Sequence, residues 1–360
     1  MEKFTISRDD TIYEAWPDIA LTPTGRLVCV FSECSHHGNR SYTRIVTTHS
    51  DDRGRTWSGK SPVTEPLHKP SPDLPHWNCA RVVSLSDSKL YVTVDTIAGG
   101  HEGNSDDGEQ CVWLFVSSDD GLTWTGPLPT PVEGIVPDRL IEVKHGDSIG
   151  RWILAAHKII DEVWEERAWL SDDCGATWST PITIARDPEL KLCEGSVFEL
   201  PGGELCCLMR ENSFQGLDAF KSVSRDGGLT WGTVTSFALP GCHRPVGGLL
   251  QSGRVLVTHR FLQGGAGWLG WWTQNLFAAL TTVESCLADS RGGTSTRIMP
   301  LDYDRSPVAD TGYSGWVQFP DGEIYVVNYI VDDAPKAQIR GYSIWESDFI
   351  LEQTNGGDTK

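Results

Sequence analysis

The sequence predicts an all-β fold: a six-bladed β-propeller of four-stranded antiparallel blades, closed by the N-terminal strand. Three observations carry this. First, Ser-x-Asp-x-Gly-x-Thr-Trp occurs four times, at Ser50 to Trp57, Ser117 to Trp124, Ser171 to Trp178 and Ser224 to Trp231. Second, a hairpin pattern of apolar strand, Gly- or Asp-containing turn and apolar strand recurs six times at intervals of roughly 50–70 residues. Third, alternating β-rich runs such as Thr43 to Thr48 and Cys111 to Val116 lead into the first two eight-residue copies.

Each eight-residue copy reads as a decorated hairpin turn. The Asp side chain accepts hydrogen bonds from backbone N–H groups of a tight turn, and the Gly supplies the positive φ that other residues resist. The Thr and Trp suit the start of the return strand, where the ring buries a large apolar surface. These copies resemble the Asp-box of the sialidase superfamily, which implies a structural role and no chemistry.

The six hairpins follow in order. They span Ile19 to Val28, Val82 to Tyr91, a looser copy from Leu140 to Ala155 around Gly146-Asp147, Val197 to Leu205, Gly248 to Leu256, and Val317 to Tyr325. Blades one to four carry good boxes, and blade five has only the turn Ala288 to Gly293. Asn275 to Cys286 places Leu276, Leu280, Val283 and Leu287 roughly on one helical face, but the repeat calls for a strand there, and a strand is predicted. Blade six has no box, as expected if Phe4-Thr5-Ile6 supplies its outer strand and removes an exposed sheet edge. Residues 1–360 are expected to form a single propeller domain.

Composition sets outer bounds. The net charge is −19, which argues against nucleic-acid and anionic-membrane partners. No run of 18 apolar residues is present, so no spanning helix is indicated. The first eight residues lack the apolar core of a signal peptide, and the ten cysteines show no framework spacing. A cytoplasmic protein with reduced thiols is expected.

In a propeller, segments before each first strand and after each second strand converge on one mouth of the central channel. Before the first strands lie Trp16, His76-Trp77-Asn78 with Arg81, Asp138-Arg139, Glu194, His243-Arg244, and Asp310 with Tyr313. After the second strands come Glu33 with His36-His37, Asp95 with His101, His157-Lys158, Arg210-Glu211-Asn212, His259-Arg260, and Asn328-Tyr329. Seven of the ten histidines fall at these ends, which marks the mouth as the functional pocket. Trp16 and Trp77 suit stacking on a sugar face. His76, His101, His157, His243 and His259 include the residue type of metal ligands, but no tight ligand motif is present. No metal and no cofactor are expected.

Two segments at the mouth resemble catalytic parts of sialidases. Thr311 to Gly322 is similar to the segment with the nucleophilic tyrosine, which implies that role for Tyr313. Cys193-Glu194-Gly195-Ser196 through Leu208-Met209-Arg210 is similar to the segment with its partner glutamate and one carboxylate-binding arginine, which implies these roles for Glu194 and Arg210. A phenol with an ordinary pKa of about 10 needs such a base or a cation to react at neutral pH.

The resemblance departs at two places. Sialidases open blade one with an Arg-Ile-Pro motif, whereas Glu14-Ala15-Trp16-Pro17-Asp18 stands here, and the supporting glutamate is replaced within Val327-Asn328-Tyr329. Losing such a charge-assisted contact removes about 1.5–3 kcal/mol of binding. The loop Cys34 to Arg40 offers His36 and His37 where the acid aspartate belongs, and either histidine suits a general acid or base. Arg244 and Arg260 are candidates to replace the missing cation. The reading is an exo-acting glycoside hydrolase of the sialidase superfamily that cleaves a terminal acidic sugar from glycans or oligosaccharides. Alternatives are a polysaccharide lyase acting on uronic-acid glycans and a non-catalytic glycan-binding propeller.

Overall fold

A computed structural model describes residues 1–68, 74–98, 110–263 and 273–349. Six antiparallel sheets form a ring of four-stranded blades, as predicted; blades one to five run in sequence order from the axis outward, and blade six takes its outer strand from the N-terminal segment. The innermost strands are Tyr13–Leu21, His76–Ser84, the short Ile141–Glu142, Leu192–Glu199, Cys242–Leu249 and Thr311–Gln318. Glu2–Ser7 pairs with Gln338–Ile344 as the outer strand of blade six, with Phe4 opposite Gly341, so the ring closes through both ends of the described chain. Blade one carries an additional short strand, Leu67–His68, beside Asn39–Ser50.

The apolar residues fall into six clusters, one between each pair of neighbouring blades. This follows from the sheets being covered on both faces, so that strands such as Leu27–His36 and Leu205–Glu211 are buried almost throughout. All ten cysteines are free thiols, and eight of them are buried. No helix among the described residues is long and apolar enough to cross a membrane.

The four boxes share one hydrogen-bond pattern. In the first, Asp52 accepts from Thr56 N (2.8 Å) and Thr56 Oγ1 (2.6 Å), while Ser50 Oγ accepts from Gly54 N (2.8 Å). The residue before the Gly and the Gly itself both have positive φ, 63° and 82° at Arg53 and Gly54. At least three boxes also latch onto the preceding blade. Tyr325 Oη donates to Gly54 O, Thr24 Oγ1 donates to Asp120, and Arg151 donates to Gly227 O.

Blade five corrects one expectation. Its third strand covers Thr273–Thr281 only, and Val283–Leu287 is a short α-helix rather than a continuation of the strand. Thr282 caps that helix by accepting from Ser285 N (3.2 Å), and the turn beyond it contains a 3-10 helix, Arg291–Gly293. The helical spacing seen in the sequence was therefore genuine over its last turn.

Candidate active site

The innermost strands share a device that carries their side chains to the axis. In blades one, two, four, five and six, three residue steps on the first strand oppose two on the second, which is a β-bulge. Blade three repeats it, because Ile135 N bonds His157 O while Asp138 N bonds Ala155 O, each at 2.9 Å. The inserted pairs are Trp16-Pro17, Asn78-Cys79, Val136-Pro137, Glu194-Gly195, Arg244-Pro245 and Gly312-Tyr313. Positive φ recurs at the first member: 53° at Trp16, 51° at Val136, 52° at Glu194, 49° at Arg244 and 99° at Gly312. Such angles in non-glycine residues cost on the order of 1–3 kcal/mol each and concentrate at functional sites. At Gly312 the chain requires glycine on a second ground, since a Cβ there would lie 2.7 Å from the Arg260 Cα.

Around these bulges lies a cavity of about 320 Å³. It is lined by Trp16, His37, Arg40, His76, Asn78, Cys79, Ile97, Ile135, Val136, His157, Trp164, Glu194, Arg210, Asn212, Phe214 and Tyr313. The structure thus brings together nine of the residues named at the mouth from the sequence: Trp16, His37, His76, Asn78, His157, Glu194, Arg210, Asn212 and Tyr313.

At its centre Tyr313 Oη donates to Glu194 Oε1. Arg210 Nη1 bridges both, at 2.8 Å from Glu194 Oε1 and 3.2 Å from the phenol oxygen, and Arg210 Nη2 donates to Asn212. Burial opposes ionisation of Glu194, but the charges of Arg210 and Arg244 prevail and hold its pKa at about 2. Burial, then the Glu194 charge, push the Tyr313 phenol well above its ordinary range, against Arg210 and Arg260. The resting pair is therefore a carboxylate and a neutral phenol. Glu194 Oε2, Arg210 Nε and Arg40 Nη1, all on residues that line the cavity, are buried without hydrogen-bond partners.

The cavity rim adds imidazoles anchored by their neighbours. His37 Nδ1 donates to Asp310 Oδ2, which leaves Nε2 as the free ring nitrogen. Asp310 also accepts from Tyr13 Oη and from Tyr329 Oη (2.6 Å). Despite burial, the His37 and Arg260 charges hold Asp310 far below the usual carboxylate range. His157 Nδ1 accepts from Glu194 N (3.3 Å), its ring stacks on Trp164, and burial lowers its pKa to about 4, so it is a neutral acceptor.

Other sequence candidates sit elsewhere. Arg244 is fully buried and donates to the Val136 and Pro137 carbonyls (3.3 and 2.7 Å), joining blades five and three across the axis instead of facing the cavity. Arg260 donates to Thr311 O (2.6 Å) and Tyr329 Oη (2.7 Å), and its guanidinium lies 4.4 Å from the Tyr313 ring centre. It supports the tyrosine from behind. Arg81 donates to Ser314 O (2.7 Å). Asp95 accepts from Asn78 Nδ2, Cys79 N and Val136 N, each at 2.9 Å, tying two bulges together. Trp77 packs in the core between blades one and two and donates to Glu65 O. His259 is buried behind Arg260, whose carbonyl its Nδ1 meets at 3.0 Å. His243 is buried beside Phe214 in a separate, smaller crevice. His36 is exposed against Tyr13, with Nδ1 accepting from Gly38 N, and Asp310 acts through His37. His101 lies outside the described residues. Among those described, no cluster of three or more His, Cys, Asp or Glu side chains suits a metal ion.

Reading from the sequence passed over Arg40, Trp164 and Phe214. Arg40 was visible as the only cation of the His36-His37 loop, but its aim depends on how the loop folds back over Trp16.

Comparisons with known proteins bear on this architecture. Residues 25–263 match the family described as BNR repeat-like domain. No curated protein matches the sequence. Among solved structures, a protein of unknown function from Dyadobacter fermentans superposes with a TM-score of 0.75 at 19% identity, covering 95% of this chain and 97% of that one. The intramolecular trans-sialidase from Ruminococcus gnavus gives 0.69 at 12% identity, covering 94% and 96%. The α-L-arabinofuranosidase Arb93A from Fusarium graminearum gives 0.60 at 15% identity, covering 98% and 99%. At such identities the likeness is one of fold, that of the propeller.

Proposed function

The chain belongs to the BNR repeat-like family, and from that premise we propose that it is an exo-acting glycoside hydrolase releasing a terminal sugar. The observation that supports this most is the hydrogen bond from the Tyr313 phenol to Glu194, with Arg210 on both, inside the cavity. A cavity of about 320 Å³ stands at the low end for small-molecule sites, which suits one terminal ring rather than a threaded chain.

In this reading the phenol oxygen attacks the anomeric carbon while its proton passes to Glu194. Because the resting carboxylate is a weak base and the phenol a weak acid, the transfer proceeds only as the new C–O bond forms. Arg210 then holds a proton-bearing Glu194 and the alkylated oxygen in place. Proton donation needs His37 as the imidazolium: held through Nδ1 by Asp310, it gives its Nε2 proton to the departing glycosidic oxygen and becomes the neutral ring. The same nitrogen later takes a proton from the water that releases the sugar. Two displacements at one carbon give net retention of configuration. Turnover of a matching aryl glycoside by the wild-type protein should fall by three orders of magnitude or more, roughly, in Tyr313→Phe. The first-formed anomer, followed by NMR, should be the retained one. An unchanged rate in the variant overturns the reading, and so does an unsaturated product absorbing in the near ultraviolet, the mark of β-elimination.

A further inference from the structure

The axis of this propeller holds several arginines, and Arg210, Arg244 and Arg260 each bond protein groups through at least one terminal nitrogen, although Arg210 Nε and Arg244 Nε are themselves unmet. Arg210 is divided among Glu194, Tyr313 and Asn212. Arg244 spends both terminal nitrogens on the Val136 and Pro137 carbonyls, and Arg260 is tied to Thr311 and Tyr329. Arg40 differs. Its Nε donates to His37 O (3.0 Å), while its Nη1 is buried in the cavity wall without an acceptor.

Its position is held from below. The guanidinium carbon lies 3.9 Å from the centre of the Trp16 ring, and the ring is itself braced edge-on by His37 and tilted against Tyr329. A guanidinium held over an indole keeps its charge and loses little conformational freedom on binding. A buried donor left unmet is costly unless something else meets it. A carboxylate fits: planar, anionic, and able to accept two parallel N–H bonds.

We propose that Arg40, carried on Trp16, is the carboxylate-recognition residue of this cavity, so that the sugar bound there bears a carboxylate. The inference rests on the reading of the cavity as a sugar site. It also explains the change at the start of blade one: the bulge position holds the platform, and the cation arrives from the loop of the neighbouring hairpin. Because Arg40 bonds the His37 carbonyl, one short loop places both the anion grip and the proton donor.

The test uses binding, which does not need turnover. Calorimetry on the full chain compares N-acetylneuraminic, glucuronic and galacturonic acids with their carboxamides. For at least one pair the acid should bind more tightly than the amide. Arg40→Gln should lower that acid-to-amide ratio roughly ten- to a hundredfold, and Arg40→Lys should lower it less. A ratio unchanged in Arg40→Gln, or no preference for any acid in the wild-type protein, overturns the inference. If the acid preference depends on Arg40 but no glycoside is cleaved, the hydrolase reading falls and this assignment stands.

Discussion

Glu166 shows how a single residue of this site carries a pH signature. It is buried behind the blade-four bulge, where Oε2 accepts from Gly195 N at 2.9 Å, and burial raises its pKa to about 8. The native state therefore keeps a proton that the unfolded chain releases near its ordinary value of 4.5, and stability falls as pH rises between those values. Buried His157 and His259, held at about 4, act with opposite sign: below their ordinary 6.5 the unfolded chain gains protons the native state refuses. The two histidines together outweigh the carboxyl below about pH 6.5, and above it Glu166 contributes a declining limb of up to about 1.4 kcal/mol per pH unit. In Glu166→Gln the amide oxygen still accepts from Gly195, and urea midpoints between pH 6.5 and 8 should flatten relative to wild type. An equally steep decline in the variant would refute this account.

At the scale of the element, bulge and box do separate work at opposite ends of each of the first four blades. The boxes stabilise, and the fourth gives the cleanest test. Ser224 is fully buried, donates to Asp226 at 2.8 Å and accepts from Gly228 N at 2.9 Å. Ser224→Ala should leave that amide unmet and cost about 1–3 kcal/mol, lowering the melting temperature by several degrees. The bulges aim side chains, and Gly312→Ala should damage the site more than the fold. Its Cβ would press on the Arg260 backbone, shift Tyr313 from Glu194, and reduce kcat about a hundredfold. Far-ultraviolet circular dichroism should stay native; a variant with full activity would show that the site tolerates the shift.

The whole molecule depends on closure. Glu2–Ser7 hydrogen-bonds along Gln338–Ile344, and Lys3 reaches Asp302 of blade five at 2.6 Å. Deleting residues 2–7 should bare the edge of Gln338–Ile344 and promote strand-to-strand association. Light scattering during size-exclusion chromatography should then report oligomers or aggregate at concentrations where the full chain shows none; an equally dispersed truncated chain would mean that the edge is protected otherwise.

Much of this organisation was legible in one dimension. Four boxes and six hairpins determined the ring, because turn chemistry and strand alternation are local properties. Tyr313, Glu194 and Arg210 were recognisable from the segments around them. Tertiary structure alone decided which polar side chains remain available. Arg244, Arg260, Arg81 and Asp95 look as reactive on paper as Arg40 or His37, yet each is tied to a carbonyl or amide of another blade. Likewise, a one-residue bulge reverses the face on which every later side chain stands, and strict alternation does not register it. The physical reason is range: a turn is written in neighbouring residues, whereas the vacancy of a hydrogen-bonding group depends on partners that here lie 41, 51, 108 and 233 positions away.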